Sequence, residues 1–468
     1  MSKRYKEIAS QLFRYRSAVF GIIILIILVG ISIYTVITIP YDQATKLWRA
    51  GEQHWLDNPR NALPSWINMF LSKKLPETMI YTTENPGLGI SKAAVSISDK
   101  FNIIKIRVSF DYKYDDFPSE INLFFKASYN KSPPQLTIYW IKPDGEEILL
   151  KSLLVGKEDR YYISSDLQLS NDLKNKVSSK LNKTITYDLP LTMVLFAVED
   201  ERLLNPETAS VMKGTYQLVI DGFSDDLESD VDVKLVIYGK VYGWAGTDHL
   251  RRDLGLALLW GAPIALSFGV TAAFSIVMLQ MLIGAVSAWF SGKLDTTLQR
   301  ITEVFMILPF LPTIIMISML YKITIWVLLL VVIGLSIFSI PVKNYRAMFL
   351  QVKEFPYIEA AQAYGASSLR IVLRYMLPRV LPTVIPYIVL SVPDFVFLEA
   401  ALAILGLGDP LAPTWGKIIY DAYVNGALYK GLYYWVLAPS SMLIITSLSF
   451  ATLGFALDKI FNPRLREI

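Results

Sequence analysis

The chain has 468 residues, of which 53% are hydrophobic and 18% are charged. This composition is too apolar for an ordinary soluble protein and too charged for membrane spans alone, so it predicts spans joined to a sizeable aqueous domain. The absence of cysteine excludes disulfides, thiolate metal sites and cysteine nucleophiles, and two distant histidines give no basis for a metal site.

The chain begins with a basic segment followed by an apolar run. Residues 1–17 include five basic side chains, and residues 18–40 form an uncharged run long enough to cross a hydrocarbon core of about 30 Å. No small-residue cleavage site precedes Pro40, so the run is predicted to be a retained first transmembrane helix and not a signal peptide. Basic residues favour the cytoplasmic side, so residues 1–17 are expected to be a cytoplasmic N-terminus.

Residues 41–245 have the pattern of an extracellular, mainly β domain. Apolar and polar residues alternate in segments such as 102–110 and 231–238, and turn signals such as Pro143-Asp144-Gly145 separate them. This spacing is typical of an antiparallel sandwich. Residues 41–240 carry 24 basic and 28 acidic residues, whereas the remainder carries 21 and 13. That acidic balance favours a location outside the cell.

Long apolar runs return after this domain. They predict five further spans, at about residues 262–290, 302–320, 324–345, 381–405 and 433–457. The loops that then share a side with the N-terminus are rich in Lys and Arg, which supports the same topology independently. We therefore expect a multi-pass protein of the plasma membrane with both termini in the cytoplasm. The expected fold class is a six-span α-helical bundle with a sandwich-like, β-rich extracellular domain inserted between the first and second spans.

One short amphipathic segment lies between these runs and contains a patch of small residues. It reads Glu359-Ala360-Ala361-Gln362-Ala363-Tyr364-Gly365 and is followed after nine residues by Tyr375-Met376-Leu377-Pro378. Small residues allow close approach to another protein surface, glycine permits a turn, and proline ends or bends the helix that follows. The segment resembles the EAA loop of ABC-transporter permeases, which is the cytoplasmic helix that docks into an ATPase subunit.

The resemblance extends over residues 246–463 and is to the C-type permease subunit of dipeptide and oligopeptide ABC importers. The stretches at 246–253, 398–408 and 413–416 resemble the family's G-T-D-x-x-G-R-D, E-A-A-L-S-F-L-G-L-G and P-S-W-G motifs in order and interval. Arg251 stands where the family has glycine, so a different turn is expected there. Gly261-Ala262-Pro263 replaces a G-A-R pattern, and the family usually has a short connection where this chain has the large outer domain.

The resemblance implies a membrane α-helical permease bundle at residues 246–468, with five spans and a cytoplasmic coupling loop at about 354–378. The residues that would couple the chain to an ATPase are Glu359, Ala360, Ala361, Gly365, Leu377 and Pro378. For Glu359 the alternative is a surface carboxylate paired with Arg370 or Arg374.

The resemblance also implies partners and a mechanism. The partners would be a second homologous permease, two cytoplasmic ATPases, an extracellular solute-binding protein and the lipid bilayer, with no nucleic acid. The sequence contains no G-x-x-x-x-G-K-[ST] phosphate loop, so ATP and magnesium would bind the partner ATPases, and this chain is expected to be a non-catalytic subunit without a cofactor. The implied activity is import by alternating access of peptides or a related solute such as oligosaccharides.

Four further residues are candidate sites. Asp394 and Glu399 lie in or near the fifth span, where an ionisable group lines a path or pairs within the protein. Asn182 and Asn130 begin glycosylation acceptor triplets, and the second triplet is weakened by Pro133. An acidic run at residues 221–232 does not match the EF-hand order and is interpreted as a solvated turn.

Two other functions remain open. A secondary transporter or channel would move solute without an ATPase, but it gives no reason for the spacing between Glu359 and Pro378. A membrane-anchored solute receptor that binds its ligand through the extracellular domain would need only one span, so the five further apolar runs disfavour it.

Overall fold

The computed structural model describes residues 11–87, 89–98, 101–321 and 323–461. The chain divides into a helical unit, formed by the residues up to Ala50 and from Leu254 onward, and a β-rich unit from Gly51 to Asp253. The basic residues Lys3, Arg4, Lys6, Arg464 and Arg466, which support the predicted cytoplasmic termini, lie outside the described residues.

The described strands are β1 (Met79–Thr82), β2 (Ile90–Ser98), β3 (Phe101–Tyr112), β4 (Glu120–Ser128), β5 (Gln135–Ile141), β6 (Glu147–Leu154), β7 (Glu158–Tyr162), β8 (Gly214–Ser224) and β9 (Asp230–Tyr238). The described helices are α1 (Arg16–Thr38), α2 (Tyr41–Arg49), α3 (Leu167–Leu181), α4 (Leu191–Phe196), α5 (Leu254–Phe290), α6 (Gly292–Ile307), α7 (Phe310–Leu320), α8 (Ile325–Ser336), α9 (Ile340–Lys353), α10 (Pro356–Ala363), α11 (Ser368–Arg370), α12 (Leu377–Ile404), α13 (Trp415–Val424) and α14 (Tyr433–Phe461). A π-helical turn, Ile371–Met376, joins α11 to α12.

The β-rich unit contains two antiparallel sheets that share one core. Their strand orders are β1-β9-β4-β7 and β2-β3-β8-β5-β6. Alternate residues of each strand point inward, as in β3, where Ile104, Ile106 and Val108 are buried. They pack in the same cluster as Ile121 and Leu235 of the other sheet. The predicted β-rich domain is therefore confirmed as a compact unit.

An aromatic cluster fills the end of this core. The Phe196 ring lies with its centroid 4.5 Å from that of Tyr112, 4.7 Å from Tyr216 and 5.4 Å from Trp140. Phe196 comes from α4, which the sequence pattern did not predict as a helix, and all six residues of α4 are buried. Aromatic residues of this unit thus serve largely as core, although Tyr162 remains exposed.

A buried carboxylate holds the start of α3. Asp166 Oδ1 accepts hydrogen bonds from the backbone N–H groups of Gln168 and Leu169, and its Oδ2 accepts from Lys151 Nζ at 2.8 Å and Tyr161 at 3.0 Å. Burial alone would raise the pKa of Asp166, but the hydrogen bonds from Lys151, Leu169 and Tyr161 outweigh burial and lower that pKa.

Asp166→Asn is expected to remove an acid-sensitive part of the stability of this unit. The pKa is lower in the folded than in the unfolded state, so the stabilisation is complete above the ordinary value of 3.8 and is lost as the pH falls below it. Asparagine keeps the helix cap, so the variant should differ from wild type near neutral pH by the lost Lys151 ion pair and the lost hydrogen bond from Tyr161. Thermal unfolding followed from pH 7 to pH 3 should show a shallower loss in the variant, and parallel pH profiles would contradict the assignment.

Among the residues that the structure describes, the helical unit contains four helices long and apolar enough to cross a membrane, or up to six crossings if each of two bent helix pairs counts as one. The pair α6 and α7 bends by 77°, and the pair α8 and α9 bends by 53°. Both predicted spans in this region, at 302–320 and 324–345, therefore run across a break. Pro309 and Pro341 lie at these breaks, and proline favours a break because it lacks an N–H and its ring clashes with the preceding turn of a helix.

The limits of the units differ from the predicted limits of the outer domain, 41–245. Residues Tyr41–Arg49 form α2 within the helical unit, where Ala44 and Trp48 are buried. Tyr41 contacts Trp260 edge to face, with ring centroids 5.3 Å apart. The amphipathic pattern of α2 thus belongs with the membrane helices and not with the strands that follow.

Candidate functional site

The helix α10 carries the small-residue motif and is anchored by one face. It begins at Pro356, whose fixed φ suits the first helical position. Ile358 and Ala361 are buried in a cluster with residues of α5 and α9, whereas Glu359 and Ala360 are exposed. The motif is therefore divided between an anchoring face and a free face.

Gly365 ends this helix in a conformation that favours glycine. Its φ is +76°, its N–H donates to the Gln362 carbonyl at 2.9 Å, and the Ala366 N–H donates to the Ala361 carbonyl at 3.0 Å. This is the hydrogen-bond pattern of a Schellman cap. A Cβ added at Gly365 would meet no atom within 4 Å. Within this chain, glycine is thus needed for its backbone conformation and not for clearance.

The segment that follows is irregular. The π-helical turn Ile371–Met376 contains one more residue per turn than an α-helix, and such turns often occur at functional sites. Pro378 lies in the first turn of α12, and Pro382 and Pro386 follow at intervals of four along one helix face. Leu377 is half-buried and packs against the cluster that anchors α10. The coupling segment predicted from sequence therefore includes a local defect next to its terminal proline.

The free face forms a surface, here called the coupling surface, in which apolar and charged side chains are mixed. Tyr364 is 92% exposed and Leu369 is 66% exposed. Within the described part of the chain, Glu359 forms no ion pair with Arg370 or Arg374, so the alternative pairing is not found. Exposed aromatic and apolar side chains surrounded by charges are typical of protein-binding surfaces.

An ion pair braces the helices beside the coupling surface. Asp295 in α6 accepts from Arg346 Nε of α9 at 2.7 Å, and the Lys353 ammonium reaches the carbonyls of Ala288 and Trp289 at the end of α5. Arg346 and Lys353 are among the basic residues that supported the predicted topology. Their role as braces depends on contacts more than 50 positions apart, so sequence spacing alone gave no signal for it.

The two acidic residues of the fifth predicted span are not brought together. Asp394 is exposed, whereas Glu399 is 3% exposed and shares a hydrogen bond with the Thr414 hydroxyl. Thr414 in turn accepts from the Lys417 N–H at 3.1 Å. Glu399 is therefore a buried group with a protein partner, while Asp394 is exposed at the surface of the helical unit.

The resemblance motifs at residues 398–408 and 413–416 pack against each other and against α5. Trp415 Nε1 donates to the Leu258 carbonyl at 2.9 Å, and a Cβ on Gly261 would lie 2.1 Å from the Trp415 ring. A Cβ on Gly416 would lie 2.7 Å from Ala400 Cα. Glycine at these positions permits the close packing of α5, α12 and α13, which explains the motifs structurally.

Arg251 anchors the end of the β-rich unit. Its φ of +64° is one that glycine adopts without strain, so the arginine leaves the backbone in a glycine-like conformation. The buried guanidinium donates to Glu52 at 3.0 Å, to the Asn58 carbonyl at 2.8 Å and to Glu120, and it lies 4.3 Å from the Tyr238 ring. Burial alone would lower the pKa of Arg251, but Glu120 and Glu52 raise it.

The other candidates of the β-rich unit lie at its surface. Asn182 is exposed and caps α3 with a φ of +50°. Asn130 is exposed and donates its side-chain amide to Glu228 at 2.8 Å. In the acidic run, Asp232 is paired with Lys92 at 2.7 Å. Among the residues that the structure describes, no group of three or more His, Cys, Asp or Glu side chains is placed to hold a metal ion.

Comparison with known proteins identifies similar membrane proteins. The family model described as the binding-protein-dependent transport system inner membrane component matches residues 280–467, all in the helical unit. The dipeptide transport system permease protein DppC of Bacillus subtilis is 32% identical over 233 residues, which are 48% of this chain and 69% of that protein.

Two further relatives match the same share of this chain. The oligopeptide transport system permease protein OppC of Bacillus subtilis is 30% identical over 237 residues, 48% of this chain and 72% of the relative. The glutathione transport system permease protein GsiD of Pectobacterium atrosepticum is 27% identical over 232 residues, 48% of this chain and 73% of the relative.

Proposed function

Because the chain belongs to the family of inner membrane permeases of binding-protein-dependent ABC peptide importers, we propose that it lines half of the membrane path of such an importer. The observation that carries the proposal is the coupling surface. One face of α10 is fixed in the core of the helical unit, and the other presents Glu359 and Ala360 with the protruding Tyr364. Because α10 is anchored on one face, a protein that binds its free face and displaces it would also displace the helices against which it packs.

The proposed assembly contains a second homologous permease, two cytoplasmic ATPases and an extracellular solute-binding protein. ATP and magnesium bind the ATPases in this proposal, and this chain performs no catalysis. Closure of the ATPase dimer moves Glu359 and its neighbours, and α12 carries that movement past Pro378 into the membrane helices. The path then opens alternately to each side, which is the general scheme for transporters built from paired bundles.

Peptides are the proposed solute class. The relatives described above are named for transport of dipeptides, oligopeptides and glutathione, all of which contain amide-linked amino acids. These names favour peptides over the oligosaccharides that the sequence resemblance also implied.

The proposed orientation places the coupling surface and both termini in the cytoplasm and the β-rich unit outside the cell. Two observations support it: the acidic balance of residues 41–240 and the basic side chains of the loops on the coupling side. Asn182 is then an exposed extracellular acceptor, and Asp394 lines the path.

Affinity purification of the full chain from its native membranes in mild detergent tests the assembly. We expect two ATPase subunits and a second permease in the purified complex, and ATP hydrolysis that rises when solute and binding protein are added. A purified chain that transports solute into liposomes with no ATPase present would instead establish the secondary transporter. A chain that binds solute through residues 51–253 and moves none would establish the receptor.

A further inference from the structure

Both breaks in the bent helix pairs open onto one cavity in the helical unit. Its volume is about 360 Å³, within the range of ligand pockets, and α6, α7, α8 and α9 all contribute to its wall. The Phe305 ring of α6 lies 5.4 Å from the Phe338 ring of the second break, so the two breaks are in direct contact. The two helix breaks, although separate in sequence, therefore line one cavity.

The wall of this cavity is aromatic, with a small number of hydroxyl groups. Phe305, Phe310, Phe338 and Phe395 supply the rings, and Thr313, Ser336 and Ser339 supply the hydroxyls. Of the described residues that line the cavity, none is ionisable. A wall of this composition selects an uncharged, preferably aromatic group, because offset and edge-to-face ring contacts add to the gain from burial.

A buried glutamine forms hydrogen bonds with residues at the second helix break. Gln280 of α5 is 3% exposed, and its Nε2 donates to the Ser336 carbonyl at 2.8 Å and to Ser339 Oγ at 2.9 Å. Ser339 Oγ donates to the same carbonyl at 2.9 Å. The Gln280 Oε1 has no hydrogen-bond partner among the described residues. Backbone and side-chain polar groups are thus concentrated where the helix is interrupted.

The position of the breaks argues against a lipid occupant. If each bent pair makes one crossing, Pro309 and Ser339 lie near its middle. Irregular backbone at that depth is stable only where it is buried in protein or lines a water-filled path, since lipid cannot satisfy its polar groups. In transporters, interrupted helices at mid-membrane commonly form the solute site.

We propose that this cavity is a subsite for the transported peptide and receives one of its aromatic or large apolar side chains during passage. The inference rests on the proposed function and adds to it a preference among peptides. Transport should favour a peptide with one phenylalanine over its all-alanine counterpart, because only the former fills the cavity.

The test uses the full chain, with its co-purified partners, in lipid nanodiscs. The probe is the dipeptide alanyl-benzoylphenylalanine, whose side chain crosslinks on illumination, and mass spectrometry locates the attachment. We expect labelling within residues 305–313 or 335–340 or at Phe395, with competition by Ala-Phe about tenfold stronger than by Ala-Ala. Labelling confined to residues that do not line the cavity would overturn the proposal.

Leu335→Trp fills the cavity and should abolish this labelling. The matched control is Leu330→Trp, which adds the same side chain to an exposed position on α8 and should leave labelling unchanged. If Leu335→Trp fails to assemble, Phe338→Ala takes its place and should reduce the advantage of Ala-Phe over Ala-Ala at least severalfold. Unchanged competition in that variant would overturn the assignment.

Two further results separate the remaining occupants. A diazirine-labelled phospholipid that crosslinks to the same residues regardless of added Ala-Phe would show a lipid site and overturn the proposal. If ATPases co-purify and Ala-Phe stimulates hydrolysis while the probe labels elsewhere, the subsite fails and the proposed function stands. If no ATPase co-purifies, the proposed function fails and this inference fails with it.

Discussion

Replacing Gly365 with arginine is expected to abolish solute-stimulated ATP hydrolysis in the assembled complex. A side chain in the left-handed conformation costs roughly 1–2 kcal/mol, and Gly365 has a φ of +76°. That cost reduces the population of the native cap by a factor of about 5–30. Arginine also extends from the coupling surface toward the proposed ATPase. The measurement is ATPase activity in proteoliposomes with and without binding protein and solute.

Two matched variants separate these causes. Gly365→Asn adds a small side chain that tolerates the left-handed conformation, so it should retain most of the coupling if backbone geometry is the main requirement. Gly145→Arg introduces the same residue at another exposed glycine with positive φ, +87°, in the β-rich unit, where coupling should be unaffected. Full coupled activity in Gly365→Arg would show that the docking surface has been assigned wrongly.

Arg251→Ala is expected to destabilise the β-rich unit by about 3 kcal/mol. The guanidinium is 1% exposed and balances two carboxylates, and removal of one partner of a buried ion pair typically costs this much. Arg251→Gly loses the same contacts but relieves the backbone strain at φ +64°. Its free energy of unfolding should therefore be about 1 kcal/mol higher than that of Arg251→Ala. Hydrogen exchange of residues 52–58 and of β9 would measure both effects in the full chain.

Arg202→Ala is the matched control for that experiment. Arg202 forms an ion pair with Asp200, but its side chain is 62% exposed, and exposed pairs contribute about 0–1 kcal/mol. Exchange rates in Arg251→Ala that match those of Arg202→Ala would show that the Arg251 network does not stabilise the unit.

Local patterns predicted much of this architecture. The alternation in residues 102–110 follows the inward and outward faces of β3, and the apolar run from residue 18 coincides with α1. The predicted elements were wrong where an apolar run contains a helix-breaking proline, and incomplete where an apolar run is too short to show a period. Residues 302–320 are apolar enough for one span, but Pro309 divides them between α6 and α7. Similarly, α4 is so short, and apolar at every position except Thr192, that its periodicity does not distinguish helix from strand.

The candidate site shows the same division between local and distant information. The turn at Gly365 follows from nearby residues, because only the neighbouring backbone is involved. The different environments of Asp394 and Glu399 depend instead on Thr414 and the packing of α13, which their own helix does not encode. Likewise, the contact between Phe305 and Phe338 requires both helix breaks to be placed in space.

The strand order of the β-rich unit has a consequence for its biosynthesis. Strand β1 pairs with β9, so its partner is synthesised roughly 150 positions later, which takes about 10–30 s at typical elongation rates. All-β domains pair their strands in milliseconds to seconds once the chain is complete. Because β9 ends at Tyr238 and α5 begins at Leu254, the four-stranded sheet becomes complete just as the next membrane helix emerges. The rate of translation, and not the rate of strand pairing, therefore determines how long β1 remains without its partner strand β9.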